Sequence, residues 1–414
     1  MGIHETIRDR AARYRHETAL ILSELVQIPS YSGREEAVCT RIAGMCESFG
    51  FDEVRIDGLG SVVARIGSGA KTLAFDAHID TVEVGDRSQW RDDPFAGTIR
   101  DGLVYGRGAS DQKGGAAAML TAGRILKELE YAGKYSIYLT FTVMEEDCDG
   151  MCWKYLIEEE GLKPDLFVST EPTSCIITRG QRGRMEMQCT FRGVSSHGSA
   201  PERGESAAYK AARAALAMER LNNDLKPDPD NFLGKGSIVV SRLEASGPSQ
   251  CAVPDRGMLY LDRRLTSGET AESAIDEVKR YMGDDIESVE MPEYRKRGYR
   301  GTDYGQELYF PTWIIPEDHP FVQAAEETTR RLYGEKVRVD KWTFSTNGVA
   351  VCGRHGVPSI GFGPGDEEQA HAPNEVNRID DLEACSAFYA MLPYILDERE
   401  DLPYFQSSMR GPRP

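Results

Sequence analysis

The chain of 414 residues is 40% hydrophobic and 28% charged, contains nine cysteines and carries a formal net charge of -18. Its length calls for two or three domains, and its composition excludes disordered and collagen-like chains. The negative balance argues against nucleic acid as a partner, no apolar run reaches the ~20 residues of a membrane span, and cysteines without a repeating spacing read as reduced, mostly buried thiols of a cytoplasmic protein.

In chain order, Leu20, Ile21, Leu25 and Ile28 predict a helix from Ile3 to Ile28 that Pro29 closes, and Val38, Ile42, Met45 and Phe49 predict a second from Glu35 to Phe49. Runs rich in β-branched residues at 53–56, 61–66 and 72–78 read as strands of one sheet. The last of them ends in Asp76-Ala77-His78-Ile79-Asp80. Residues two apart on a strand share a face, so His78 can present a ring nitrogen with the Asp80 carboxylate beside it. Asp111 stands where a helix running through 116–129 opens, a place for a rigid, anionic carboxylate or for a plain N-cap. The strongest strand, Lys134 to Met144, runs into Glu145-Glu146, and adjacent carboxylates there are expected to point to opposite faces. Cys148 and Cys152 are four apart, but two thiols alone make no zinc site and they read as structural. A helix at 151–160 precedes a buried strand from Asp165 to Ser169, which leads into Glu171. Three strands thus finish in metal-ligand residue types, and open α/β sheets place their sites beyond the carboxyl ends of their strands.

After Arg179-Gly180 the pattern changes to a strand at 184–191, a helix at 206–221, strands at 237–243 and 258–265, a helix at 269–281 and a strand at 286–293. This βαββαβ order predicts a compact α+β domain, about 181–295, inserted into an α/β domain made of 1–180 and 296–414. From Tyr309 the α/β pattern resumes with a helix at 321–332, strands at 336–339 and 358–362, a loop containing His371, and a final helix at 380–396. His4, His16, His319 and His355 read as surface residues, and the tail after Leu402 as loose.

Six motifs stand in one order along nearly the whole chain: Asp76-Ala77-His78-Ile79-Asp80-Thr81-Val82, Tyr105-Gly106-Arg107-Gly108 through Asp111-Gln112-Lys113-Gly114-Gly115, Glu145-Glu146, Glu171-Pro172-Thr173, Ser196-His197-Gly198-Ser199-Ala200-Pro201, and His371-Ala372-Pro373-Asn374-Glu375. The set resembles the co-catalytic metallohydrolases of peptidase family M20, which include succinyl-diaminopimelate desuccinylase, acetylornithine deacetylase, aminoacylases and glutamate carboxypeptidase. The resemblance implies a zinc-exopeptidase-like catalytic domain, a mixed sheet flanked by helices, with the inserted domain serving as lid and dimerisation module. It also implies two divalent cations: His78 and Glu171 would hold one, Glu146 and His371 the other, and Asp111 would bridge them. Zn²⁺ suits such a mixed set, with Mn²⁺ and Co²⁺ left open. Glu145 would be the general base and Asp80 would orient His78, while His197 would donate to the substrate oxyanion, commonly across a dimer. Arg264 either binds a substrate carboxylate or merely pairs with Asp262 on its own strand. The Phe344–Gly348 turn, with Asn347, resembles the family's substrate-facing loop. Where the family commonly has Asn-x-x-Pro, this chain has Cys251-Ala252-Val253-Pro254, a pattern most similar to selenium-metabolism-linked hydrolases; a thiol cannot replace an amide's donor and acceptor, so Cys251 leaves the substrate open.

The implied activity is hydrolysis of an amide bond in a small N-acyl or N-carbamoyl amino-acid-like substrate carrying a carboxylate, by a cytoplasmic homodimer without nucleic-acid or membrane partners. A metallo-exopeptidase acting on small peptides is the alternative among enzymes. A silent binding protein on the same fold is the alternative outside them, and the complete ligand set together with Glu145 speaks against it.

Overall fold

A computed structural model describes residues 2–227 and 230–402, so the tail after Leu402 lies outside the described residues. Two hydrophobic cores organise the chain. The larger draws on both ends of the sequence: helix Ile3–Val26 packs against helices Lys113–Glu128 and Ile379–Asp397. Leu22, Leu25 and Val26 of the first helix, Leu120 and Ile125 of the second and Leu392 and Leu396 of the third are all buried in this core. No helix among the described residues is long and apolar enough to cross a membrane.

These helices pack with a mixed nine-stranded sheet. Its order runs Glu53–Ile56, Val62–Ile66, Tyr135–Thr142, Lys71–His78, Leu166–Ser169, Ser359–Gly361, Ile177–Gln181 and Trp313–Ile314, with Val339–Trp342 pairing alongside Ile177–Gln181. The three central strands, Tyr135–Thr142, Lys71–His78 and Leu166–Ser169, are mutually parallel. Lys71–His78 is buried at every position except Thr72, as a near-continuous apolar run in a sheet covered on both faces must be. Parallel strands end on the same edge, which brings the residues after His78, Thr142 and Ser169 together.

The smaller core follows the expected strand-helix-strand-strand-helix-strand order, with strands Gly183–Arg192, Ser237–Ser246, Arg256–Leu265 and Ser288–Glu290 and helices Ala207–Asp224 and Ala271–Met282. Met185, Met187, Cys189 and Phe191 alternate with less buried residues, so a single face of this antiparallel sheet is sealed, by the two helices. Ser237–Ser246 is an edge strand.

Several elements differ from expectation. The strand expected at 286–293 is confined to Ser288–Glu290, since Pro292 has no N–H to offer a ladder, and the chain then makes an unforeseen hairpin, Glu293–Arg297 with Asp303–Glu307. The strand expected at 336–339 lies instead at Val339–Trp342, where parallel pairing buries the Trp342 ring. The glycine-rich stretch before Arg107 forms a small sheet, Thr98–Arg100 and Leu103–Tyr105, which pairs with Val376–Arg378. His319 and His355 are half-buried rather than at the surface: His319 Nδ1 accepts the Phe321 N–H (3.1 Å) at the start of helix Pro320–Tyr333, and His355 faces Glu158 (3.4 Å).

Candidate metal centre

Beyond the shared edge of the three central strands, His78, Asp111, Glu145, Glu146, Glu171 and His371 line one cleft of about 460 Å³. His78 Nδ1 lies 3.0 Å from the Asp80 carbonyl oxygen. A carbonyl can only accept, so Nδ1 carries a proton there and Nε2 is the ring nitrogen directed into the cleft. Nε2 is 2.9 Å from Asp111 Oδ1, 3.7 Å from Glu171 Oε1 and 3.9 Å from Glu145 Oε2. Across the cleft, His371 Nε2 lies 2.8 Å from Glu146 Oε2 and 3.4 Å from Asp111 Oδ2. The two oxygens of Asp111 therefore face two different imidazoles.

Two placements depart from the sequence reading, and at Asp111 one of two alternatives falls. Asp111 is no N-cap: helix Lys113–Glu128 is preceded by Gln112, and the Asp111 carboxylate belongs to the cleft. Glu145 and Glu146 do not diverge to opposite faces, because the strand stops at Thr142 and Met144, in the left-handed region at φ 61°, turns both carboxylates into the cleft. Asp80 acts on His78 through its backbone carbonyl, its carboxylate being 3.5 Å away and committed elsewhere. That carboxylate accepts the N–H groups of Glu145 (3.2 Å) and Glu146 (3.1 Å) and the Ser32 hydroxyl (2.7 Å).

Among the substrate-side candidates, Arg264 lines the cleft and is held by Asp262 through two bonds of 2.9 and 3.1 Å, the same-strand pair of its second reading. Asn347 does not face the cleft. It is 1% exposed, donates to Asp76 Oδ2 (2.8 Å) and accepts from the Gly150 N–H (2.9 Å), so its amide is spent on joining the strand of His78 to helix Met151–Glu158. Its neighbours Thr343, Phe344 and Ser345 line the cleft instead. Asn347→Ala should therefore cost stability, roughly 2–6 kcal/mol for two buried groups left unpaired, and leave KM unchanged. Chemical denaturation and steady-state kinetics check it, and a raised KM with unaltered stability would return Asn347 to the substrate. His197 and Cys251 are exposed on the smaller domain, adjacent to one another through the Gly198 N–H to Cys251 carbonyl bond (2.7 Å), and neither enters the cleft of its own chain.

Glu375, which the motif alone gives no role, builds the loop that carries Asp111. Fully buried, it accepts from Ser110 N and Asp111 N (both 2.8 Å), Gly108 N (3.0 Å) and Arg107 Nη1 (2.8 Å). On the Glu171 side, Gly363 passes so close that a Cβ would lie 2.1 Å from the Glu171 carbonyl oxygen.

The carboxylates of Asp111, Glu145, Glu146 and Glu171 surround two imidazoles here. Burial first, then the Asp111 charge, pushes Glu146 up to about 7, and burial with surrounding carboxylates holds Glu145 and Glu171 well above the usual range. Burial opposes the charge on His78, but Glu171, Glu145 and Asp111 outweigh it and raise its pKa. Burial likewise opposes ionisation of Asp111, and its bond to His78 wins, lowering its pKa. So many buried anions with so few cations call for positive charge between them. Donor atoms of His78, Glu145 and Glu171, and of His78, Asp111 and Glu146, lie within 4.8 Å of one another, and Glu145 Oε1 and Glu171 Oε2 are buried without hydrogen-bond partners. Imidazole nitrogen and carboxylate oxygen in these numbers suit divalent cations. A larger cleft of about 800 Å³ on the smaller domain, near Arg192 and Glu244, contains no imidazole.

The sequence model of peptidase family M20/M25/M40 matches residues 74–394, which spans every candidate ligand. The chain belongs to that family. It is a metal-dependent hydrolase of the amidohydrolase or metallopeptidase kind. Among M20 relatives, the protein YgeY of Escherichia coli (strain K12) is 46% identical over 389 residues, covering 94% of this chain and 96% of that protein. The succinyl-diaminopimelate desuccinylase of Magnetococcus marinus is 26% identical over 386 residues, covering 89% and 95%. The M20 fold recurs in the metallo-carboxypeptidase Sso-CP2 from Sulfolobus solfataricus, with 19% identity and a TM-score of 0.69 over 92% of this chain and 100% of that one. It recurs also in the aminopeptidase PepT from Bacillus cereus, with 20% identity and a TM-score of 0.70 over 92% and 98%.

Proposed function

We propose that this M20 enzyme hydrolyses the amide bond of a small N-acyl or N-carbamoyl amino-acid-like substrate, with His78, Asp111, Glu146, Glu171 and His371 holding two divalent cations, Zn²⁺ first among them. The observation that carries the reading is the Asp111 carboxylate between two imidazoles, 2.9 Å from one and 3.4 Å from the other. When bound, a pair of such cations lowers the pKa of water and polarises a carbonyl. The side chains supply the rest. Glu145, its Oε1 unpartnered beside His78, takes the proton of the attacking water and passes it to the leaving amine. Asp80 keeps Glu145 and Glu146 in place through their N–H groups, and Arg264, one of two guanidinium groups lining the cleft with Arg184, is suited to a substrate carboxylate.

We extend the proposal to a homodimer formed through the domain at 181–295. Val239 and Leu243 on its edge strand, and Leu216 on its helix, are 56%, 48% and 58% exposed, and an open strand edge invites pairing. His197, exposed on the same domain, would then serve the cleft of the second copy. Sedimentation equilibrium is the check: a fully active monomer removes this part of the proposal. For the activity itself, the test is a screen of N-acyl and N-carbamoyl amino acids, their carboxyl-blocked esters and unmodified dipeptides, with Zn²⁺, Mn²⁺ or Co²⁺ added. Turnover of the free-carboxylate acyl compounds is expected, and turnover confined to dipeptides would make the chain an exopeptidase instead.

A further inference from the structure

The hairpin Glu293–Arg297/Asp303–Glu307 follows strand Ser288–Glu290 of the smaller sheet, precedes the short strand Tyr309–Phe310 that returns to it, and lies on the larger domain, where Tyr294, Tyr299 and Tyr304 pack against the main core. It meets that domain at the turn carrying Glu145 and Glu146. The Tyr294 hydroxyl donates to Asp147 Oδ2 (2.7 Å), and the Lys296 ammonium donates to the same oxygen. Lys296 also donates to the Ser32 carbonyl (3.0 Å), and the Ser32 hydroxyl holds the Asp80 carboxylate that receives the Glu145 and Glu146 N–H groups. From the second hairpin strand, buried Gln306 donates to the Asp149 carbonyl (2.9 Å).

We propose that Tyr294 and Lys296 are positioning residues for Glu145, the hairpin acting as a clamp that fixes the 144–149 turn from outside the cleft. The turn needs one. Met144 occupies the left-handed region at φ 61°, a conformation that persists only where surrounding contacts enforce it. Its other supports include Glu35, which accepts the Met144 N–H (3.1 Å), and Asp80, and both bond backbone rather than the side chains that must be aimed. Lys296 reaches the turn twice at once, through Ser32 on one side and Asp147 on the other. Because the hairpin continues directly from Ser288–Glu290, the placement of the smaller domain is communicated to the turn through these two side chains.

The inference rests on Glu145 acting as the proton acceptor, and the test keeps the two claims separate. Lys296→Met, Tyr294→Phe, their double variant, Lys296→Arg and Glu145→Gln are made in the full-length protein. Steady-state kinetics are measured with divalent metal present, and deuterium exchange of the 144–149 amides is measured on metal-free protein. Lys296→Met and Tyr294→Phe should each lower kcat by about 10- to 100-fold, the scale of a slightly misplaced reacting group, with KM changed less than about twofold. Exchange across 144–149 should quicken while helix Lys113–Glu128 stays protected. The double variant should lose less than the product of the single losses, since both residues act through Asp147, and Lys296→Arg should recover most of kcat. Unchanged kcat in both single variants, with Glu145→Gln inactive, overturns the clamp. An active Glu145→Gln overturns the base assignment instead, and unaltered exchange at 144–149 would then overturn the clamp as well. Should Lys296→Met fail to fold, Tyr294→Phe, which removes one hydroxyl, decides the question by the same readouts.

Discussion

Replacing Glu145 by glutamine should lower kcat by about 10²- to 10⁴-fold while the protein keeps its full complement of metal. Glutamine preserves the length and shape of the side chain, and the backbone of residue 145 remains fixed by the Asp80 carboxylate, so the new amide sits where the carboxylate sat. What disappears is an oxygen able to accept a proton. The residue is 5% exposed and its Oε1 has no hydrogen-bond partner, so that oxygen is uncommitted and its loss is not offset by a bond already in place. Kinetics paired with metal analysis separates two roles that geometry alone leaves side by side, since Glu145 also groups with His78 and Glu171 as a possible ligand. Loss of activity with metal retained identifies a proton acceptor. Loss of metal would reassign Glu145 to the ligand set, and an undiminished rate would end the proposed chemistry.

The second large effect is expected at Asp111. Both of its oxygens are in use, one toward each imidazole, and asparagine can supply only one acceptor. Asp111→Asn should reduce bound metal from two equivalents to one or fewer after dialysis, a loss exceeding the ~10- to 100-fold in affinity typical of an outer hydrogen-bonding partner. With several kcal/mol of transition-state stabilisation removed, kcat/KM should fall on the order of 10³-fold or more. Calorimetric titration of the metal-free protein measures this directly, and two undiminished binding events would show that Asp111 bridges nothing.

The strand ends were readable because burial and period two leave few choices. Lys71–His78 is buried on both faces from Leu73 onward, and His78 is the residue at which it stops. Glu171 and the Glu145-Glu146 pair were marked in the same way by the strands before them. The direction of a side chain beyond a strand end is another matter, because period two ceases with the ladder: Met144 adopts positive φ, and the two glutamates converge where alternation predicted divergence. Asn347 shows a similar limit. A polar residue in a glycine-containing turn looks exposed, and only the contact with Asp76, 271 residues away in sequence, reveals that it is enclosed. The hairpin at 293–307 was missed because its alternating burial leaves mainly tyrosines facing inward, amid arginine, lysine and glycine that read as loop.

The three central strands carry one more implication. Their pairing is set residue by residue, His78 opposite Thr142 and Asp76 opposite Ser169. A slip of a single position would carry the histidine about 3.3 Å along the sheet and turn its ring to the other side, out of reach of Asp111. Only a chain that has zipped these strands correctly can gather the donors, so capture of the cations certifies native assembly as well as equipping it for chemistry.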